Sequence, residues 1–375
     1  MPATRPPAIL QVLPALVSGG VERGTLEIAE ALVGAGYRAL VASAGGPLVG
    51  RLERLGVRHI TLPLNTKSPL RLWRNAGALA ALVRDEGVAI IHARSRAPAW
   101  SALLAARRTG ARFVTTYHGT YNEGAPGKRL YNSVMARGER VIAISQFIAD
   151  HLRARHGTDP ARIRIIPRGV DPRRFDPALV APARIAALRS EWRVPEGRPV
   201  IMLPARLTRW KGQTVLLEAM ACLPGEAIAL LVGDGNGRFR QELAARAAVL
   251  GLGDRIRLCG HTEDMPAALL LADLVVHAST DPEAFGRTVI EAQAMARPVI
   301  ASDLGAPRET VEEGVTGWRV PPGDPAALAA AIAAALALPP EAREAIGQRG
   351  RAHVLAHYTT QAMQEATLAV YRELA

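Results

Sequence analysis

The chain contains little cysteine, few aromatic residues and almost no lysine. Its two cysteines, Cys222 and Cys259, lack the spacing of a metal site and fall in segments predicted to pack, so we expect small core residues in a reducing compartment. Lysine occurs only at positions 67, 128 and 211, and arginine carries nearly all of the net charge of +12. Such a charge suggests nucleic acid, an anionic membrane surface or anionic small molecules as partners.

Nucleic acid is the weakest of these three partners. Aromatic residues make up 4% of the chain, and no zinc-finger or RNA-recognition signature is present. A solvated arginine-rich face without any partner explains the charge equally well.

Long apolar segments are also missing. The longest apolar run, 326–338, lies between Pro325 and Pro339 and would span about 20 Å as a helix, which is short of a bilayer. Residues 1–8 are proline-rich and lack an apolar core, so no secretory signal is expected. We therefore predict a cytoplasmic protein that is at most peripheral at the inner face of the membrane.

Short β-type apolar runs alternate with helical patterns, which predicts an α/β protein with parallel sheets covered by helices. A length of 375 residues fits two domains. Proline-rich and arginine-rich stretches at 167–182 and 195–199 indicate the connection between them. We predict domains at 1–178 and 179–352, with 353–375 as a C-terminal helix that crosses back to the first domain. The predicted strands are 9–13, 38–42, 58–62, 89–92, 112–117, 140–144 and 163–166, then 200–204, 227–232, 255–258, 274–277 and 298–301.

The segment from Glu283 to Glu291 is the most informative part of the chain. Glu283 falls in a predicted loop, and Glu291 lies one to two turns into the apolar helix that follows. A carboxylate in an apolar helix costs free energy unless it is hydrogen-bonded. Between the two acids, Phe285 and Gly286 bring backbone N–H groups to a helix start, which is an anion site. A phosphate held there, with a sugar beside it, would engage both acids and favours an enzyme of nucleotide sugars.

Two further loops, one in each half of the chain, follow a predicted strand and so lie at the carboxyl edge of a sheet. Arg206 and Lys211 follow the first strand of the second half and could neutralise a diphosphate without a metal; two ordinary exposed cations are the alternative. Gly19 and Gly20 follow the first strand of the chain and let a ligand approach a helix start. They do not form the G-x-G-x-x-G dinucleotide fingerprint, which disfavours an NAD dehydrogenase.

Three more polar residues end strands of the first half. His118 could hydrogen-bond a sugar hydroxyl, although a loop-capping role fits equally well. Arg94 and Arg96 could hold an anionic acceptor or lie in a solvated loop. D-x-D, H-E-x-x-H, Walker and G-x-S-x-G patterns are absent, so no metal or other cofactor is expected. Cations and helix dipoles would then stabilise the charge on a leaving group.

Together these motifs resemble the retaining glycosyltransferases of the GT-B fold, glycosyltransferase family four. The resemblance covers nearly the whole chain, and its most specific element is the pair of glutamates eight positions apart. It implies two Rossmann-like, doubly wound parallel-sheet domains that face each other across a cleft. It also implies that Arg206 and Lys211 bind the donor diphosphate, that Glu291 binds the ribose hydroxyls, and that the Phe285 and Gly286 amides face the phosphate and sugar.

The same resemblance assigns Glu283 to the donor sugar, Gly20 to the phosphates and His118 to the side of the transferred sugar. The chain departs from the family pattern at two positions. Arg168 stands where relatives usually have asparagine, and Arg287 stands where an apolar residue is common. These extra cations favour an anionic donor or acceptor, and Arg168 joins Arg94 and Arg96 as a candidate acceptor-binding residue.

The expected reaction is retaining transfer of a sugar from a nucleotide diphosphate sugar to a glycan or glycolipid acceptor in lipopolysaccharide, capsule or other envelope polysaccharide synthesis. Two alternatives stay open. An epimerase or phosphorylase of the same fold would form product without the acceptor, and a non-catalytic basic binding protein would show no thermal shift with nucleotide. The segment 70–74, with leucine, tryptophan and arginine, could rest on an anionic leaflet or pack as a helix in the first domain.

Overall fold

The computed structural model describes residues 6–17 and 19–374, and the chain divides into two compact units. The first unit is Met1–Arg168 with Gln361–Ala375, and the second is Gly169–Thr360. The sequence-based boundaries at 178/179 and 352/353 differ from these divisions. The reason is local pairing: Val170 forms an isolated parallel bridge with Thr359, and a side chain at Gly169 would collide with the Thr359 backbone.

The first unit contains a seven-stranded parallel sheet in the order β3-β2-β1-β4-β5-β6-β7. Its strands are buried apolar runs, as expected for a sheet covered on both faces. The elements are β1 (Ala8–Val12), α1 (Gly20–Gly34), β2 (Arg38–Ser43), α2 (Val49–Arg54), β3 (Arg58–Thr61), α3 (Pro69–Glu86), β4 (Val88–Ala93), α4 (Arg96–Thr109), β5 (Arg112–Tyr117), α5 (Lys128–Asn132), β6 (Arg140–Ala143), α6 (Gln146–His156) and β7 (Ile163–Ile165).

The second unit contains a six-stranded parallel sheet in the order β10-β9-β8-β11-β12-β13. Its core includes side chains from the central strands and from the helices that cover them. The elements are α7 (Pro182–Glu191), β8 (Val200–Pro204), α8 (Gln213–Cys222), β9 (Ile228–Val232), α9 (Gly237–Val249), β10 (Ile256–Gly260), α10 (Met265–Leu271), β11 (Leu274–His277), α11 (Arg287–Ala294), β12 (Val299–Ser302), α12 (Pro307–Thr310), β13 (Gly317–Val320), α13 (Pro325–Ala337) and α14 (Pro340–His357).

The C-terminal segment differs from the single helix predicted for 353–375. Helix α14 ends at His357 in the second unit, and a new helix, α15 (Thr360–Arg372), follows after Tyr358 leaves the helical conformation. The backbone of Val170 binds both sides of this break, since its N–H donates to Tyr358 O and its carbonyl accepts from Thr360 N. Helix α15 packs Met363 and other apolar side chains into the core of the first unit.

The prediction of two core cysteines is wrong for Cys222, which is exposed, while Cys259 is half-buried. Cys222 is the last residue of α8, and the buried positions of that helix end at Met220. Burial raises the pKa of the Cys259 thiol to about 12. In the described part of the chain, no single helix is long and apolar enough to cross a membrane; α13 and α14 pass that test only as a pair bent by 112°.

Candidate active site

The candidate site of the second unit lies at the carboxyl ends of β8 and β11. These strands are neighbours at the centre of the sheet. The strands that follow β8 are added on one side of the pair (β9, β10), and those that follow β11 are added on the other side (β12, β13). Loops that follow two such strands open a crevice, which is the usual ligand site of this kind of sheet. The loop after β8 contains Arg206 and Lys211, and the loop after β11 contains Glu283 and Gly286.

Glycines hold these loops close to one another. Gly212 has a left-handed backbone (φ 76°), and a Cβ there would collide with the carbonyl oxygen of Ala278. Gly305 is also left-handed (φ 70°), and a Cβ there would collide with the Glu283 carbonyl oxygen. The Glu283 carbonyl accepts a hydrogen bond from Ala306 N at 2.9 Å. Side chains at either glycine would therefore push the loops apart.

This packing brings Lys211 into a charged cluster with Glu283. The Lys211 ammonium donates to Glu283 Oε1 and lies 4.3 Å from the centre of the Trp210 ring. His277 Nε2 and Ser279 Oγ each lie 3.3 Å from the same carboxylate oxygen. Burial would raise the pKa of Glu283, but the hydrogen bond and charge of His277 and the charge of Lys211 lower it to about 2. Glu283 is therefore a carboxylate at neutral pH.

Sequence analysis assigned no role to His277 or Ser279. His277 was predicted as the last residue of a strand and Ser279 lies two residues later. The positions of these two residues could have indicated a role in binding, because polar residues at the carboxyl end of a central strand lie on the crevice side of such a sheet. It was weak, since a single histidine at a strand end fits a packing role equally well.

Helix α11 begins immediately after this cluster. Its N-cap is Gly286 in the left-handed conformation (φ 80°). The backbone N–H groups of the first turn point out of the N-terminal end of the helix. Phe285 is 4% exposed, with its ring 5.9 Å from that of Tyr358, which fixes the approach to the helix. Glu291 lies in the middle of the helix and is 7% exposed.

Arg206 differs from Lys211 although it lies in the same loop. Its side chain is exposed, and its carbonyl oxygen accepts from Gln213 Nε2 at 3.0 Å. The structure thus brings Lys211, Glu283 and the start of α11 to one edge of the sheet, with Arg206 reaching solvent from that edge.

In the first unit, Gly19 and Gly20 form the start of α1. Gly19 has φ 145° and is the N-cap residue, and both glycines are exposed. A Cβ at Gly20 would contact nothing within 4 Å, whereas a Cβ at Gly19 would lie 2.7 Å from Glu22 Oε2, so a carboxylate of the first turn lies beside the helix start.

The first-unit candidates separate into two groups. Arg168 contacts His118 through its guanidinium, and both Arg168 and Arg94 lie against Gly24 of α1. Arg96 turns elsewhere: its Nη1 donates to Asn132 Oδ1 at 2.9 Å, and its guanidinium stacks over a tyrosine ring. The three arginines proposed to bind an acceptor therefore do not converge.

Across residues 6–17 and 19–374, no group of three or more histidine, cysteine, aspartate or glutamate side chains is arranged to hold a metal ion. The charged groups at the site are instead a lysine, a carboxylate and a helix start.

Comparison with known proteins places this geometry in context. Residues 18–174 match the profile of Glycosyltransferase Family 4, and residues 185–353 match that of Glycosyl transferases group 1. A D-inositol 3-phosphate glycosyltransferase from Xylanimonas cellulosilytica is 30% identical over 85% of this chain and 84% of its own length. The Segniliparus rotundus protein of the same name is 32% identical over 79% of this chain, which spans 64% of that protein.

Solved structures agree with these matches. A glycosyltransferase from Rickettsia africae has a TM-score of 0.90 and 37% identity, covering 99% of both chains. Anabaena Alr3699/HepE in complex with UDP-glucose has a TM-score of 0.85 and 26% identity, covering 98% of this chain and 100% of that chain. The two parallel-sheet α/β domains and the predicted GT-B fold class are confirmed.

Proposed function

Because this chain belongs to the glycosyltransferases of family 4 and group 1, we propose that it transfers a sugar from a nucleotide diphosphate sugar to a glycan or glycolipid acceptor, with retention at the anomeric carbon. The observation that carries the proposal is the contact of Lys211 with Glu283 beside the start of α11. A cation, a carboxylate and a helix N-terminus at one sheet edge suit a ligand that joins a phosphate to a sugar.

In this proposal the leaving diphosphate is stabilised by Lys211, Arg206 and the N–H groups at the start of α11. Negative charge grows on the diphosphate as the glycosidic bond breaks, and fixed donors stabilise that charge most strongly where water is excluded. Glu283 accepts hydrogen bonds from donor hydroxyls, because its low pKa keeps it ionised. Glu291 binds the ribose hydroxyls. Anabaena Alr3699/HepE binds UDP-glucose, which supports a uridine nucleotide as the first donor to test.

His118, Gly19 and Gly20 complete the proposal from the first unit. The glycines would let a phosphate approach the start of α1 in place of the Glu22 carboxylate, and the imidazole of His118 would donate to the transferred sugar. Deprotonation of the acceptor by the departing phosphate, on the face the leaving group occupies, is the retaining step we favour. No cofactor beyond the nucleotide sugar is required in this scheme.

The test compares Lys211→Ala and Glu291→Ala with Arg209→Ala. Arg209 lies in the same turn as Lys211, but its exposed side chain pairs with Glu242 on the surface. We expect transfer to fall about 100-fold or more in Lys211→Ala, in line with loss of one transition-state donor. Glu291→Ala removes the acceptor for the ribose hydroxyls and should lower transfer by weakening donor binding. The control should keep near-normal activity. Near-normal transfer in both site variants would end the assignment.

The nucleotide itself can be identified by thermal stabilisation with UDP, GDP, ADP and CMP. A ligand at a hundred times its dissociation constant adds about 2.7 kcal/mol to the free energy of unfolding. A matching nucleotide should stabilise the wild type and lose most of that effect in Lys211→Ala. No shift with any nucleotide would favour the non-catalytic binding protein instead.

We also propose that the acceptor is an envelope glycan or glycolipid assembled at the cytoplasmic face of the membrane, with the protein resting on anionic lipid. Helix α3 supports this idea. It buries Ala76, Leu79 and Val83 in the first unit, as the packing alternative requires, yet Leu70 and Trp73 near its start stay 58% and 61% exposed. Arginines at 71 and 74 are exposed on the same turns, and each adds about 1 kcal/mol near an anionic surface.

Flotation with phosphatidylglycerol vesicles at low salt tests the membrane surface. The wild type should float and Leu70→Ser/Trp73→Ser should not. Val249→Ser, which changes an apolar residue of the second unit that is 79% exposed, should behave as the wild type. Absence of wild-type flotation at low salt would refute the membrane proposal and leave the transfer reaction untouched.

A further inference from the structure

The carboxylate of Glu283 is held through one of its two oxygens. Lys211 Nζ, His277 Nε2 and Ser279 Oγ all contact Oε1, the last two at 3.3 Å. Within the described part of the chain, no hydrogen bond involves Oε2. An ionised carboxylate has about four lone-pair positions, shared between its two oxygens. Protein donors therefore crowd Oε1, while Oε2 keeps its lone pairs for a ligand.

Of the two nitrogen donors on Oε1, His277 is held more firmly than Lys211. His277 is the last residue of β11, its backbone pairs with Ala301 of β12, and it is 6% exposed. The lysine ammonium instead lies at the end of a flexible four-carbon stem. Glu283 is itself fixed through its backbone, which forms a bridge with Gly305. The histidine is thus the donor that stays in place, and the lysine is the donor that can leave.

The two ring nitrogens of His277 have different surroundings. Nε2 lies beside the carboxylate and also beside the start of α11, since a Cβ at Gly286 would lie 3.6 Å from it. Nδ1 is buried and has no hydrogen-bond partner among the described residues. A carboxylate only accepts hydrogen bonds, so Nε2 must carry the proton that reaches Oε1. His277 therefore acts on the site through Nε2.

We propose that His277 is a positioning residue for Glu283, which holds Oε1 while Lys211 moves to the donor diphosphate and Oε2 accepts from the hydroxyls of the donor sugar. Without His277, release of the lysine would leave a carboxylate that is 12% exposed with only the Ser279 hydroxyl, among the described residues, as a protein donor. A buried charge left without its partner is strongly unfavourable. The inference rests on the proposed function, because it concerns the carboxylate assigned there to the donor sugar.

The test compares two amide side chains of different reach in the full chain. The amide nitrogen of glutamine can take the place of Nε2, whereas that of asparagine takes the place of Nδ1 and falls short of Oε1. The ligand is whichever of UDP-glucose, GDP-glucose and ADP-glucose raises the unfolding midpoint of the wild type most, and its affinity is measured by calorimetry. We expect His277→Gln to bind within about 2-fold of the wild type and His277→Asn to bind about 10-fold more weakly, which lies in the range of coupling between residues in contact.

Two further comparisons separate positioning from a merely structural role. In a Glu283→Ala background, His277→Asn should change the affinity by less than about 2-fold, because the carboxylate through which it acts is gone. His353→Asn is the matched control: His353 Nδ1 contacts Glu312 Oε1 at 3.3 Å in the same unit, but this carboxylate is 54% exposed. The control should bind the nucleotide sugar as the wild type does.

Equal affinities in the wild type and His277→Asn would overturn the inference, as would an equal loss in His277→Gln and His277→Asn. An equal effect of His277→Asn with and without the Glu283 carboxylate would overturn it as well. If His277→Asn does not fold, His277→Leu takes its place with the same expectation. A wild type that binds none of the three nucleotide sugars would refute the proposed function and this inference with it, whereas a wild type that binds one of them with the same affinity as His277→Asn would refute the inference alone.

Discussion

Replacement of Lys211 by methionine should destabilise the second unit because Glu283 would lose a buried cation. The two side chains are 17% and 12% exposed. Loss of one partner from a fully buried pair costs about 3–5 kcal/mol. A shift of one pKa unit corresponds to about 1.36 kcal/mol. The lowering of the Glu283 pKa from 4.5 to about 2 therefore represents about 3 kcal/mol of stabilisation of the carboxylate. His277 contributes to that lowering and stays in place, so about 2 kcal/mol is expected for Lys211→Met.

Scanning calorimetry at pH 7 measures this loss. For a unit of this size, about 2 kcal/mol corresponds to a fall of about 4–8 °C in the unfolding midpoint. Glu283→Gln and the double variant Lys211→Met/Glu283→Gln complete a cycle, which should give a coupling energy of about 1–2 kcal/mol. Arg209→Gln is the control, since its pair with Glu242 is 76% and 36% exposed and should contribute less than about 0.5 kcal/mol. A coupling energy no larger than the effect of the control would refute the reasoning.

Two further perturbations probe the loops and the buried histidines. Gly212→Ala should lower the unfolding midpoint by several degrees and reduce transfer, because its Cβ would collide with Ala278 O. The control Gly237→Ala should be neutral, since nothing lies within 4 Å of a Cβ at that position. Similar midpoints for the two variants would contradict the packing argument. Burial lowers the pKa of both His92 and His118, so below about pH 6.5 the unfolded state binds more protons than the folded state. The free energy of unfolding therefore decreases as the pH is lowered, by up to about 1.4 kcal/mol per pH unit for each histidine. In urea unfolding between pH 6.5 and 5, His118→Gln should reduce the slope by up to about 1.4 kcal/mol per pH unit, and an unchanged slope would contradict the lowered pKa of His118.

Most of the sheet architecture could be predicted from sequence because parallel strands are buried on both faces and therefore form continuous apolar runs. Strand β13 was not predicted because it lacks such a run. Its sequence, Gly317-Trp-Arg-Val320, offers no apolar run, and its two middle residues are only half-buried. It forms because the backbone of β12 provides an open edge, with Val299 pairing with Gly317. Pairing with a neighbour, which no local pattern reveals, decides such a strand.

The candidate site shows a similar division. The two glutamates were recognisable from local sequence, since a carboxylate in an apolar helix stands out. The contact of Lys211 with Glu283 joins residues 72 positions apart, and only the strand order brings their loops together. Arg94 and Arg96 show the converse. They are two residues apart, yet Arg94 ends the strand with its N–H donating to Val12 O, while Arg96 is the first residue of α4 and turns to Asn132.

The contact of Lys211 with Glu283 bears on which donor the second unit would bind. In the second unit, Lys211 is already paired with Glu283, so a diphosphate must compete for the ammonium and offer its sugar hydroxyls to the released carboxylate. A ligand with only the phosphate would leave Glu283 without its lysine, and one with only hydroxyls would not engage the ammonium, which would select for the joined phosphate and sugar. Selectivity for the proposed donor would thus arise from a charge pair that the ligand has to replace on both sides.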